Sequence, residues 1–200
     1  MDGPHVIVAR VYEHIEPIDR GERYADPLDA MLTARGLGRV TGGGTQMNEE
    51  GGVDYADLEI EVADVESTLP VITEALEAAG APEGSEAIDP STGQVLRQFG
   101  RHQCLAVYLD GQTLPDEVYA ELDFAAVVAE IGAAAGDNSF HGFAGSETET
   151  GLFFFGPDAE AMFARVEPVL LKVPIGQNAR VVIRHGRQSR DPREVRIPRR

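Results

Sequence analysis

Five histidines, five tyrosines and a single cysteine are the residues of this 200-residue chain suited to proton transfer, nucleophilic attack or metal binding. His5, His14, His102, His141 and His185 form no His-x-x-x-His pair, and Cys104 has no Cys-x-x-Cys partner. That spacing signals no metal site, and no cofactor is expected. Cys104 opens the apolar run Cys104-Leu105-Ala106-Val107 and reads as a buried small hydrophobe rather than a nucleophile. Thr41-Gly42-Gly43-Gly44-Thr45 is glycine-rich, but Gln46-Met47 follows where a phosphate cradle needs Lys-Ser/Thr, so it reads as a strand, bulge or loop. Neighbouring carboxylates are common (Glu49 with Glu50, Asp54 with Asp57, Glu147 with Glu149) and read as solvated faces. His141, between Phe140 and Gly142, is the one histidine placed for general acid–base work, with Tyr108 as its partner.

Charge is the unusual property. Seventeen basic residues stand against 34 acidic ones, a net of −17, and Lys172 is the only lysine. The final 17 residues, from Arg184 to Arg200, hold seven arginines against Asp191 and Glu194, so a tail of +5 follows a body of −22. Such a body repels nucleic-acid phosphates and anionic lipid, and attracts a basic protein partner. The tail is expected to lie back on an acidic surface. No apolar run reaches the ~20 residues of a membrane span, no export signal is visible at Met1-Asp2-Gly3-Pro4, and the lone cysteine fits a reducing cytoplasm.

The elements that must position these residues repeat. Val11-Tyr12 recurs as Val107-Tyr108, Glu22-Arg23-Tyr24-Ala25 as Glu117-Val118-Tyr119-Ala120, Leu58–Asp64 as Leu152–Asp158, and Ile88 as Ile183, at offsets of 96, 95, 94 and 95. Constant spacing in constant order argues for duplication. In the first half, a strand over Val6–Tyr12 precedes a helix opened by Asp26-Pro27 and closed by Gly36. The glycine-rich segment, an acidic turn Asn48–Gly52 and a strand Val53–Val62 follow. Asp64 then caps a helix, and a short strand ends near Ile88. In the second half, Cys104–Leu109, a helix capped by Asp123, a strand from Ser139, Leu152–Phe155, a helix over Asp158–Leu171 and Ala179–Arg184 repeat that order. Tyr24 and Tyr119 recur just before each first helix and are expected to anchor a loop through one hydroxyl hydrogen bond. The expected fold is α+β: two tandem ferredoxin-like βαββαβ units, each an antiparallel sheet with helices on one face. The units span 1–90 and 102–186, with a linker at 91–101 and a basic tail at 187–200.

Alternation assigns the sheet faces. Leu58, Ile60 and Val62 face the helices, which leaves Glu59 and Glu61 on the other side with Arg10 beside them as an ion-pair partner. The matching positions in the second half are Phe153 and Phe155, with Cys104, Ala106 and Tyr108 on the neighbouring strand. That face is apolar and calls for a cover: the other half of the chain, a second subunit in a homodimer, or a ligand or protein partner.

The segments Thr41–Thr45, Gly80–Ser85, Pro115-Asp116-Glu117-Val118-Tyr119 and Gly156-Pro157-Asp158 carry a resemblance to tandem ferredoxin-like bacterial proteins of unassigned role. In charge and missing machinery the chain is also similar to immunity proteins, which neutralise a toxin by occupying its basic active site. The resemblance implies a non-catalytic, acidic protein-binding module, for which the two sheet faces offer Glu59, Glu61, Arg10, Tyr108, Phe153 and Phe155 as binding residues. Two alternatives stand beside it: a small-molecule sensor with sites between the duplicated units, and a small ferredoxin-like enzyme working in a pocket around Tyr108, His141 and Phe153.

Overall fold

The computed structural model describes residues 4–47, 53–186 and 192–198. The chain divides into two compact units, Met1–His102 and Gln103–Arg200. The first runs β1 (His5–Val11), α1 (Pro17–Arg20), a π-helical turn (Gly21–Ala25), α2 (Asp26–Arg35), β2 (Gly38–Met47), β3 (Val53–Val62), α3 (Val65–Ala78), β4 (Ser85–Ile88) and β5 (Val95–Phe99). The second runs β6 (Gln103–Asp110), α4 (Asp116–Ala120), α5 (Phe124–Ala135), β7 (Phe140–Gly145), β8 (Glu149–Gly156), α6 (Ala159–Lys172), a 3₁₀ turn (Pro174–Gly176), β9 (Arg180–Arg184) and β10 (Arg193–Arg196). Sheet orders are β2-β3-β1-β4-β5 and β7-β8-β6-β9-β10, antiparallel throughout. Each unit is thus a βαββαβ ferredoxin-like sheet with one strand added beyond its last.

Side-chain alternation drives both cores. Ile7, Ala9 and Val11 of β1 and Ala56, Leu58, Ile60 and Val62 of β3 are buried beneath Leu28, Leu32, Ile72 and Leu76 of the helices. In the second unit Leu105, Val107, Leu152, Phe154, Val181 and Ile183 meet Ile131, Met162, Phe163, Val166 and Leu170. Each such aliphatic or aromatic side chain contributes about 1.5–3 kcal/mol by leaving water. The helices start where a carboxylate meets unpaired amides: Asp64 accepts from Glu66 N, Asp123 from Ala126 N and Asp158 from Ala161 N. Such caps contribute about 1 kcal/mol each.

Several expectations are corrected. Helix formation in the first unit begins at Pro17, whose fixed φ suits a first helical position. Asp26 is itself helical (φ −66°, ψ −46°) and caps nothing; its N–H reaches back to Gly21 O in the π-helical turn, just ahead of Pro27, which has no N–H to offer. Residues 91–101 are not a bare linker, because β5 pairs with β4 there. Within 187–200, β10 pairs with β9, so its Arg193 and Arg196 belong to a sheet edge. The remainder of that tail (187–191, 199–200) and the turn at Asn48–Gly52 lie outside the described residues.

The register refines the duplication. β2 bulges between Val40 and Gly42 opposite Ile60 and Glu59, and β7 bulges between Phe140 and Gly142 opposite Phe154 and Phe153. Superposing the bulges keeps Leu58 on Leu152 and the cap Asp64 on Asp158, as the sequences align. The ladders then set Ala9 on Val107, since these pair with Leu58 and Leu152. Arg10 is therefore the counterpart of Tyr108, two residues away from the match to Tyr12. Ile88, opposite Val8, corresponds to Val182, opposite Ala106, and not to Ile183.

Candidate functional site

The face of the first sheet that turns away from the helices carries Glu61, Glu59, Asp57 and Tyr55 from β3, Val6, Val8 and Arg10 from β1 with Tyr12 just beyond its end, and Glu86 from β4. Arg10 stands opposite Asp57, and its Nε and Nη2 each donate a 2.8 Å hydrogen bond to that carboxylate. The guanidinium lies 3.8 Å from the Tyr55 ring centroid, and the Tyr12 ring meets Tyr55 edge-on. The bond to Asp57 raises the Arg10 pKa further above its already high value. Arg10 thus pairs with neither Glu59 nor Glu61, because the register sets it two residues beyond Glu59. Glu61 takes Arg39 instead, at 2.7 and 2.9 Å, and Glu86 accepts from the Tyr12 hydroxyl at 2.8 Å. Glu59 is exposed and has no ion pair among the described residues.

In the second unit the corresponding face is aromatic. Phe153 and Phe155 turn away from the helices while Phe154 enters the core. Phe155 stacks on His141 at 4.9 Å between ring centroids, and Phe153 meets Tyr108 edge-on at 6.1 Å. Ala106, Phe155, Val182 and His141 are buried; Cys104, Tyr108 and Phe153 are half-buried. Arg180 lies 3.9 Å from the Tyr108 centroid and donates from Nε and Nη2 to Glu149 at 3.2 and 2.5 Å. The bond to Glu149 raises the Arg180 pKa, and burial raises that of Tyr108. An arginine, a tyrosine and a carboxylate therefore form the same clamp in both units from permuted positions: Arg10 occupies the place of Tyr108, and Tyr55 that of Glu149.

The proposed acid–base pair is not adjacent. His141 is the bulge residue of β7, Tyr108 lies on β6, and β8 runs between them. Two strand spacings and two to three residues along the strand separate their Cα atoms by roughly 13 Å.

Both anchor tyrosines donate to a carboxylate near the end of the first strand. Tyr24 Oη donates to Glu13 Oε2 at 2.5 Å, and Arg23 Nη1 donates to Oε1 at 2.7 Å, so the buried Glu13 is held by two neighbours from the π-helical turn. Burial, reinforced by the charge of Glu13, pushes the Tyr24 pKa well up. Tyr119 donates to Asp110 Oδ1 at 3.1 Å. Burial opposes ionisation of Asp110, but hydrogen bonds from the hydroxyl and amide of Thr113 and the amide of Gln112 outweigh it and pull its pKa far down.

No group of three His, Cys, Asp or Glu suited to a metal exists among the described residues. Two grooves of about 550 and 520 Å³ flank the start of β1: one is lined by Pro4, His5, Val6, Val65 and Asp89, the other by Thr33, Gly36, Arg39 and Glu61. Among the described residues no helix is long and apolar enough to cross a membrane.

Sequence reasoning missed Tyr55, Arg180 and the buried Glu13, and treated Asp57 and Glu149 as solvated. Counting back in twos from Glu59 places Asp57 and Tyr55 on its face; the pairing of β1 with β3, which selects Asp57 for Arg10, has no signature in the sequence.

No protein-family model matches the chain, and no curated protein matches it. Among solved structures it is similar to the regulatory subunit of aspartate kinase from Thermus flavus, at 18% identity over 84% of this chain and 94% of that one, with a TM-score of 0.28. It is also similar to a putative monooxygenase from Fusobacterium nucleatum (12% identity, 98% and 99% covered, TM-score 0.30). A putative monooxygenase from Lactobacillus acidophilus is a third (10% identity, 98% and 95% covered, TM-score 0.27). Likeness at this level says nothing of activity.

Proposed function

We propose that the chain is a non-catalytic protein-binding module that docks a basic protein on the acidic sheet face of its first unit. The observation that carries this reading is Glu59: an exposed carboxylate without an ion pair among the described residues, in a row where Asp57 and Glu61 hold the nearby arginines. The wider field agrees, because the first unit holds 20 acidic and 7 basic residues, a net of −13, against 14 and 10, or −4, in the second. An unpaired surface carboxylate costs little in the free protein and is available to a cationic partner, whose approach the field accelerates. Neutralisation of a basic toxin or enzyme is the specific form of this role. Affinity capture from the source cell at low salt, with mass spectrometry of what high salt releases, tests it. A retained set dominated by basic proteins supports the reading; retention of neutral or acidic proteins that salt does not release contradicts it.

A second reading, small-molecule sensing, draws on the 550 Å³ groove beside His5 and Asp89. It predicts that a metabolite raises the melting temperature, and that Val6→Trp, which fills the groove, removes the effect.

A further inference from the structure

β2 is an edge strand of the first sheet, ten residues long, and Thr41, Gly42, Gly43 and Gly44 are all exposed. From Val40 to Met47 it carries no charge, proline or large side chain other than Met47, although proteins ordinarily protect such edges with charges or prolines. Among the described residues, Val40 N donates to Asp29 Oδ1 at 2.8 Å, Arg20 Nη1 donates to Thr45 Oγ1 at 3.0 Å and Gln46 Nε2 donates to Met47 O at 2.8 Å, and none of the three takes a backbone group of Gly43 or Thr45. The outward N–H of Val40 sets the phase of the ladder. The bulge at Thr41 then shifts that phase by one, so Gly43 and Thr45 turn their N–H and C=O groups outward. Gly43 itself accepts no side chain, because a Cβ there would overlap the carbonyl oxygen of Asp57.

Gly42 links this edge to Glu59. The two are ladder partners, and a Cβ at Gly42 would lie 3.4 Å from Glu59 Oε2, so the absent side chain leaves the carboxylate uncovered toward the edge. A strand added beyond β2 would lie two spacings of about 4.8 Å from β3. A lysine or arginine on that strand spans this gap over Gly42, because its side chain extends about 6 Å from the backbone toward a carboxylate that itself reaches outward.

We propose that β2 accepts an extended cationic segment of the partner protein as a sixth strand, with backbone hydrogen bonds at Gly43 and Thr45 and a lysine or arginine crossing Gly42 to Glu59. This is strand addition, in which the main chain supplies affinity and a side chain supplies selection. It rests on the docking role assigned to the acidic face and specifies what that face receives.

The test uses the full chain and an octapeptide of alternating lysine and threonine, beside the same peptide N-methylated on alternate amides, which keeps the charge and removes the backbone donors. Calorimetry is expected to give binding of the parent peptide and about tenfold weaker binding of the methylated one, the effect of two hydrogen bonds. Hydrogen exchange at Gly43 and Thr45 is expected to slow when the parent peptide binds. Gly42→Lys, which covers Glu59 from within, is expected to weaken the parent peptide by a similar factor. Equal affinity of the two peptides, with both weakened by Glu59→Gln, overturns strand addition while the acidic docking face stands. No binding by the parent peptide, or unchanged exchange at Gly43 and Thr45, overturns the proposal outright.

Discussion

Arg10 holds Asp57 through two 2.8 Å hydrogen bonds and passes over Glu59, one ladder step away on the same sheet face. This choice of partner leaves the neighbouring carboxylate without an ion pair among the described residues, and it sets both the stability of the face and its charge. Arg10→Ala is expected to destabilise the first unit by about 1–2 kcal/mol, since the pair is partly exposed but doubly bonded. Arg10→Lys recovers little of this, because an ammonium cannot make the bidentate bond or stack on Tyr55 as the planar guanidinium does. Hydrogen exchange of β1 and β3 amides measures both.

Tyr24→Phe removes one hydrogen-bond donor from the buried Glu13 and is expected to cost about 1–3 kcal/mol. The Tyr24 pKa is raised in the folded chain, so the stability linked to it is complete below the unfolded value of about 10. That stability is lost as pH rises through the higher folded value. Absorbance of tyrosinate between pH 9 and 12 checks this: one late-titrating tyrosine disappears in Tyr24→Phe.

Asp110 behaves in the opposite sense. Its pKa is lowered by folding, so its contribution is present above the unfolded value of about 3.9 and fades as pH falls through the folded one. Asp110→Asn is expected to flatten this acid limb of the stability curve of the second unit. Chemical denaturation at pH 2 to 6 would show wild type and variant converging at the acid end.

Two phenylalanines on neighbouring strands separate a core position from an exposed one. Phe154→Ala, in the core, is expected to cost about 3–5 kcal/mol. Phe143→Ala on β7, where the side chain is 57% exposed, should cost less than about 1 kcal/mol. Urea unfolding followed in the second unit distinguishes them.

What the sequence made legible follows from period-two alternation. Leu58, Ile60 and Val62 went to the core, and Glu59, Glu61, Phe153 and Phe155 to the opposite face, because a strand reverses its side chains at each step. Matching Tyr12 to Tyr108 was two residues out and did no harm to the face assignment, since a slip of two preserves the side. Matching Ile88 to Ile183 was one residue out, and the two lie on opposite faces: Ile88 pairs with Val8, and Ile183 with Leu105. Partner choice was not legible. Arg10 selecting Asp57, or Arg180 selecting Glu149, depends on ladder register that pairs residues 47 and 31 positions apart. The strand at Arg193–Arg196 was equally hidden, because its mostly polar, exposed residues have a loop's composition, whereas Val95–Phe99 carries three apolar residues and buries Phe99, and was masked by the turn residues Pro90-Ser91 and Thr92-Gly93 just before it.

The central claim is that the face around Glu59, rather than net charge alone, holds a basic partner. Glu59→Lys and Glu74→Lys change the net charge equally, but Glu74 is exposed on α3, away from β2 and β3. Side-by-side capture at low salt, quantified against wild type, is expected to show loss of the basic partner with Glu59→Lys and near-complete retention with Glu74→Lys. Equal losses in both variants, or no loss in Glu59→Lys, would contradict the account.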